Sequence, residues 1–457
     1  DPGFDASVLS EFRTRLIEGE PGKQLLDKML MLLTEKGLVK SKGKQRSDST
    51  HVVASVHALN RLESVGETMR YALNQLAAVA PDWLSPHLKP EWVERYERRM
   101  DNYRLPKSKE KREELALTIG RDGFYLLEQI YHQSAPSFLA TLPAVEILRQ
   151  VWLQHFYLEM LVGEENRALQ VRWREEKDLP PGKQRINSPY DVEARYSVKG
   201  QTTWTGYKVY LTETCDEDLP HLIVNVETSH AATGDIEFTE TIHQGLEQKK
   251  LSPHEHFVDS GFTTAELLLK CRTLGTALIG PLREDYSWQE KAGQGFDLSA
   301  FKIEWDNKRV TCPEGQGSKK WQRMLNGRDK PVIMVEFDRQ DCLSCLQHER
   351  CTKAKATGRT LVFTGNQEEH ETMRQVRVQQ TTNEFKERYN TRAGIEGTIS
   401  QAVRGCDLRQ SRYLGLAKTH LHNVLSSLAV NVHRLANWFD EKPRASTRTA
   451  RFAQLVA

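Results

Sequence analysis

The chain has 457 residues, with 64 Lys or Arg against 62 Asp or Glu, a formal charge of +2. That balance excludes a uniform polycation, and 7 cysteines are too few for a disulfide scaffold in a chain this long, which points to a reducing compartment. No apolar run approaches the roughly 18 residues of a membrane span, no signal peptide is visible, and the length suits a catalytic domain with one or two insertions.

The chain opens at Asp1 without a methionine, as a fragment or a processed product would. Residues 5–17 carry apolar side chains at helical spacing, and 21–36 read as a second helix ending at Gly37, so 1–44 forms a helical segment. The second helix is rich in Leu and Met and reads as packing surface rather than as a recognition helix. A polar linker, KSKGKQR, leads into a short strand within 45–55 that carries Asp48. From Val56 the character changes to amphipathic helical runs broken near Pro81, Pro106, Pro136 and Pro143. The last run, PAVEILRQVWLQHFYLEM, completes an all-α insertion over 56–175.

After the Pro/Gly linker RWREEKDLPPGKQRINSPY, β character returns over 176–284. Residues 204–214 and 221–228 alternate and are joined by the acidic turn CDEDLP, which reads as a hairpin. A helix capped near Asp235, a buried-type strand at 254–259, a helix TTAELLLKCRTLG and a strand at 277–282 follow. Residues 285–365 interrupt the pattern with a cysteine-containing insertion. Residues 366–440 hold a long polar helix (about 367–389) and a last helix (414–439), and 441–457 is a frayed tail. A hairpin followed by alternating helix and strand predicts an α+β fold around a mixed sheet.

The most informative stretch is YNTRAGIEGTISQAVRGCDLRQSRY, Tyr389–Tyr413. At about 100° per residue, Tyr389, Arg392, Glu396 and Ser400 fall within roughly 40° of one line. A carboxylate flanked on its own face by an arginine and a tyrosine suits a metal ligand beside phosphate-gripping groups. The bland alternative is a solvated face with an i,i+4 Arg392–Glu396 pair. Gly394 and Gly397 each cost about 1 kcal/mol relative to Ala inside a helix, which predicts a close backbone approach. Residues 388–457 hold 11 Lys/Arg against 4 Asp/Glu, so the basic end of the chain is also the end with this glutamate.

The Tyr-x2-Arg-x3-Glu spacing resembles that around the catalytic glutamate in DDE transposases of bacterial insertion sequences. GLAKTHLHNVLSSLAVNVHRL is similar to the family's terminal helix, and RSDSTHV, SPYDVEARYS, WTGYKVYLTETCD and HFVDSGF are similar to family segments in the same order. The resemblance implies a ribonuclease-H-like catalytic sheet that gathers Asp48, Asp259 and Glu396. These acids would hold two Mg2+ (or Mn2+) ions about 3.5–4 Å apart for DNA cleavage and strand transfer. Asp191, which directly precedes the hairpin, rivals Asp48 as the first acid. The family usually places Lys or Arg seven residues after the glutamate, where this chain has Val403, with Arg404 next to it. Tyr389, Arg392, Arg404 and Lys208 are the candidate DNA contacts; Lys208 also reads as a solvated strand lysine. The implied partners are double-stranded DNA, both element ends and target, and further copies of the chain in a synaptic complex, at the nucleoid in the cytoplasm. The alternative is a catalytically inactive or domesticated DNA-binding derivative.

Two further groups stand apart. His254 and His256 alternate towards Asp259, but imidazole suits Mg2+ poorly and they are not read as a metal pair. Cys312, Cys342, Cys345 and Cys351 offer one CxxC knuckle and two more thiols. That set fits a structural Zn2+ site, and alternatively reduced packing thiols or, least well, an iron–sulfur cluster. Cys215, Cys271 and Cys406 are isolated packing residues. No phosphate-cradling P-loop is present, so nothing points to ATP.

Overall fold

The first strand of the sheet, β1 (Lys44–Val53, KQRSDSTHVV), is polar by composition yet buried along most of its length. A polar strand is tolerated there because most of its polar side chains find partners: Arg46 on Glu213, Ser47 on Thr212 and His256, Asp48 on Arg392, and Thr50 on Arg409. The protein is described by a computed structural model covering residues 5–18, 21–162, 167–327 and 329–443. The part of the expected tail beyond residue 443 lies outside the described residues.

Between β1 and the rest of the sheet lies the helical insertion, whose longest helices are Arg61–Val79, Lys109–Ile130 and Pro143–His155. It has its own hydrophobic core around Met69, Trp92, Ile119, Leu126 and Trp152. The insertion is not all helical. The helix expected to reach Met160 ends at His155, and β2 (Phe156–Val162) turns back against β3 (Arg167–Trp173) as an antiparallel hairpin. The reason lies in the packing: Phe156 and Val171 press onto Gly120, a contact that needs the chain extended there and leaves no room for a Cβ.

The sheet resumes with β4 (Arg195–Lys199), β5 (Thr202–Thr214) and β6 (Ile223–His230). The long β5 pairs antiparallel with β4 and then β6 along one edge, and with β1 along the other. On the far side of β1, β7 (Glu255–Phe257) and β8 (Ala277–Ile279) run parallel to it. The expected hairpin is present, but β4 was not legible as a strand. Helices Thr239–Gln248 and Ala265–Thr273 make the crossovers, and the last helix, Leu416–Phe439, lies along β6. Apolar side chains from sheet and helices form one core around Tyr207, Val209, Leu211, Val224 and Phe262.

The cysteine-containing insertion holds the short pair β9 (Lys302–Glu304) and β10 (Arg309–Thr311), then a three-stranded sheet of β11 (Lys320–Leu325), β12 (Pro331–Glu336) and β13 (Thr360–Thr364). The long polar helix that follows is broken in two, Gln367–Gln379 and Asn383–Tyr389. Thr382 caps the second by accepting from the Phe385 amide, while Gln380 leaves the helix line to accept from the Leu282 amide. Among the described residues no helix is long and apolar enough to cross a membrane.

Candidate active site: a carboxylate cluster on the central strand

The register of β1 against β7 places two aspartates together. Arg46 is level with Phe257, the last residue of β7, and two residues further along each chain Asp48 and Asp259 lie close enough for the charge of one to act on the other. The alternate residues of β1 take the face opposite Asp48. There Ser47 bonds the buried His256 ring, which in turn meets His243 of helix Thr239–Gln248. His254 is exposed, so the two strand histidines form no pair.

Arg46, on the same face as Asp48, fixes what covers it. Its guanidinium donates to Glu213 Oε1 (2.7 Å) on neighbouring β5 and to the Thr391 carbonyl (2.6 Å). Thr391 belongs to a 3-10 turn, Asn390–Ala393, that interrupts the expected continuous helix between Asn383–Tyr389 and Gly394–Cys406. A Cβ on Gly394 would run into the Arg46 guanidinium, so this glycine allows the close approach that its cost predicted. Gly397 faces open space and makes no such approach. Glu213, with no exposed side-chain surface, also accepts from Thr398 Oγ1 (2.5 Å) and Arg434 Nη1 (2.7 Å). One buried carboxylate thereby ties β1, β5, the Glu396 helix and the last helix together. A carboxylate so deeply buried is stable because two guanidinium groups and a hydroxyl satisfy it.

The turn delivers Arg392 into the carboxylates. Its Nη2 donates to Asp48 Oδ2 (2.7 Å) and its Nη1 to Glu396 Oε1 (3.2 Å). Asp259 is close enough that its charge acts on Asp48, Tyr389 and Arg392. Asp48 is buried, and burial pushes its carboxyl above the usual aspartate range. The Arg392 charge and the Ser49 amide oppose the shift, and the Asp259 charge adds to it. Glu396 keeps 67% of its side chain exposed, whereas Asp259 Oδ1 accepts from the Gly261 amide (2.7 Å). Tyr389 donates its hydroxyl to the Val258 carbonyl (3.1 Å) and stacks on Phe385; burial pushes its phenol up to about 12.

The donor set suits a hard divalent cation: three carboxylates from separate elements, one of them buried beside a like charge. Arg392 bridges two of them, so a cation entering between Asp48 and Glu396 competes with its guanidinium. Among the described residues no three His, Cys, Asp or Glu side chains already stand in a metal-holding arrangement.

Among the described residues, the other sequence candidates bond to none of the three carboxylates, although Asp235, the partner of Lys208, adjoins the Asp259 turn at Gly261. Lys208 is largely buried and engaged, with Nζ donating to the Thr233 carbonyl (2.8 Å) and Asp235 Oδ1 (3.0 Å). Arg404 is exposed on the Glu396 helix, its Nε reaching only the Ser400 carbonyl, while Val403 packs into the core. Asp191 is not beside Asp259. It accepts the Tyr207 hydroxyl on both oxygens (2.7 Å each) and the amides of Glu193, Ala194 and Gly415, pinning the SPYDVEAR loop to the start of the last helix. Arg46, Glu213 and Arg434 were missed by the sequence reading. Arg46 sits in a stretch that scans as a linker, and only Glu213, the one acid in the alternating strand WTGYKVYLTET, left a signal.

A buried aspartate, a strand-end aspartate and a helix-borne glutamate around an arginine define an acidic site suited to hard cations beside a phosphate-gripping group. Residues 311–436 match the family model described as a transposase DDE domain. The matched stretch contains Tyr389, Arg392, Glu396 and all four clustered cysteines, while Asp48 and Asp259 precede it. The match supports a DDE transposase, a family of nuclease and strand-transfer enzymes that act on DNA and typically use a divalent metal. No curated protein matches the chain.

Proposed function

We propose that the protein is an insertion-sequence transposase of bacterial type, with a ribonuclease-H-like catalytic domain that cleaves element-end DNA and joins the 3′ hydroxyl to target DNA. The strand order supports this reading: β4 and β6 flank one side of β5 and β1 the other, all antiparallel, and beyond the central β1 the strands β7 and β8 run parallel to it. In this reading the catalytic domain comprises the strand at 45–55, residues 176–284 and the helices of 366–440. The insertions at 56–175 and 285–365 interrupt it, and the segment at 1–44 precedes it. The observation that carries the proposal is the convergence of Asp48, Asp259 and Glu396 on Arg392.

Asp48, Asp259 and Glu396 would hold two Mg2+ or Mn2+ ions. When bound, these lower the pKa of an attacking oxygen and stabilise the leaving 3′ oxygen. Arg392 is held by the Arg46 clamp on its turn. When its carboxylate partners engage cations, its planar fork can turn to a DNA phosphate in bidentate fashion. Tyr389, with its hydroxyl committed to Val258, offers its ring rather than its hydroxyl to a strand end. Arg404 lies on the exposed face to meet phosphates, and Lys208 supports the site through Asp235 rather than reaching DNA directly.

The test is metal-dependent nicking of DNA by the full chain and by Asp259→Asn and Glu396→Gln. Each variant should lose cleavage by about 10^3-fold, the several kcal/mol of cation stabilisation at about 1.4 kcal/mol per decade, with duplex binding retained. Cleavage at the normal rate by either variant would refute the assignment. Binding without any metal-dependent cleavage by the unaltered chain would favour an inactive, domesticated derivative.

A further inference from the structure

We propose that Cys312, Cys342, Cys345 and Cys351 bind one structural Zn2+ ion through four thiolates, and that this ion closes the insertion between β8 and the helix Gln367–Gln379. The site lies outside the carboxylate cluster, and the inference does not depend on the transposase reading. The four cysteines are separated in sequence and brought together only by the fold. Cys312 directly follows β10, Cys342 and Cys345 lie in and after the short helix Arg339–Leu343, and Cys351 ends the helix His348–Cys351. All four, together with Phe301 and Arg359, line a single small cavity of about 40 Å3. None is in a disulfide.

The backbone around them is arranged to hold thiolates. Amides point at three of the four sulfurs: Gln316 at Cys312 Sγ (3.3 Å), Gln347 at Cys345 Sγ (3.4 Å) and Arg359 at Cys342 Sγ (3.4 Å). Hydrogen bonds of this kind favour the charged form of a ligand and orient it towards the ion. Two tight turns supply them. In one, the Cys345 amide donates to the Cys342 carbonyl, the turn of a CxxC knuckle. In the other, Gly315 takes φ +82°, its amide donates to the Cys312 carbonyl, and Cys312 in turn donates to the Gln316 carbonyl. A residue with a Cβ is strained at that φ, which is why Gly stands in CPEGQ.

Charge fits as well. Four thiolates around Zn2+ carry a net charge of −2, and the Arg359 side chain lines the cavity with a buried Nε that has no hydrogen-bond partner. A half-buried guanidinium with its Nε left unsatisfied beside four thiols becomes a counter-charge once they are ionised. The insertion also needs a staple. Its core has only seven buried side chains, among them Phe301, Val310, Ile333 and Phe363, and a module this small gains much of its stability from a metal or cross-link. No three of the sulfurs already stand at ligating positions, so closure requires the thiols to rotate inward to the roughly 2.3 Å of a Zn–S bond. His348 also lines the cavity, and its Nε2 bond to the Ala354 carbonyl (3.1 Å) leaves Nδ1 as the rival ligand; Cys312 is assigned because the Gln316 amide already points at its sulfur.

The test uses the full chain purified under reducing conditions. Elemental analysis should find about one zinc per chain. Replacing the ion with Co2+ should give the intense visible absorption of a tetrahedral thiolate site. Cys312→Ser and Cys342→Ser should lose the ion, and His348→Ala should keep it. If the serine variants fail to fold, the unaltered protein still decides: a mercurial titrating the clustered thiols should release zinc in step with their modification. Chelation should speed hydrogen exchange within the insertion and spare β1 and β5. Protein free of zinc, iron with acid-labile sulfide in its place, two disulfides by mass, or zinc kept in Cys312→Ser but lost in His348→Ala would each overturn the assignment.

Discussion

Two buried aspartates, Asp48 and Asp191, compete for one role in the sequence, and replacing each should separate structure from chemistry. Asp191 is 4% exposed and answers the hydroxyl of Tyr207, itself fully buried, along with three backbone amides at 3.2–3.3 Å. Asp191→Ala strands that hydroxyl at about 2 kcal/mol, within the 1–3 kcal/mol of a buried unsatisfied group. The three amides are long and add about 1–2 kcal/mol together, so the whole cost is about 3–4 kcal/mol. With a urea dependence of about 2 kcal/mol per molar, the unfolding midpoint of the sheet should fall by about 1.5–2 M. Asp48→Asn instead removes a charge that burial already disfavours, and its amide oxygen can still accept from Arg392. Stability should move by less than about 1 kcal/mol, while metal-dependent cleavage should fall by about 10^3-fold. Urea denaturation followed by tryptophan fluorescence, beside a nicking assay normalised to folded protein, reads both. If Asp48→Asn cleaves normally, or if Asp191→Ala keeps full stability and loses cleavage, the reasoning fails.

The raised carboxyl of Asp48 gives a pH dependence with a definite sign. Without metal, the stability it contributes is full below the ordinary aspartate range and is lost as pH rises through its raised folded pKa. A cation needs the ionised form, so stabilisation by Mg2+ should grow over the same window. Melting temperatures against pH with and without Mg2+ check this, and an Mg2+ effect unchanged in Asp48→Asn would contradict it. Gly394→Ala should destabilise, because its Cβ meets Arg46, whereas Gly397→Ala has open space and should gain up to about 1 kcal/mol of helix propensity. Equal melting shifts in the two variants would refute the clamp. DNA binding should be weakly sequence-selective and fall steeply between about 50 and 200 mM salt, since the candidate contacts are phosphate-gripping. Competition between labelled element-end DNA and random duplex reads this, and a preference above about a thousandfold would show a sequence reader in one of the insertions.

Features set by neighbours along the chain were legible in the residues alone. Helical spacing made Arg392 and Glu396 partners, a buried-type run followed by Asp-Ser-Gly put Asp259 at a strand end, and the CxxC knuckle announced a cysteine module. The cost of glycine in a helix foretold the close approach at Gly394, although the same argument failed at Gly397, which meets nothing. Periodicity also misled where packing overrode it, at Phe156, where the contact with Gly120 turns an expected helix into a strand. Which distant residues share an environment is fixed by the packing of the folded chain. Asp48 stands beside Asp259 because β1 and β7 pair in parallel register, while Asp191, equally acidic and equally buried, is consumed by Tyr207. Arg46 scans as part of a solvated linker, yet it holds the turn carrying Arg392, because Glu213 across the sheet gives its charge a buried partner. The physical reason is that pairing across a sheet and satisfaction of buried charge are set by contacts between segments hundreds of residues apart. Local patterning carries no record of which partner a polar side chain will find.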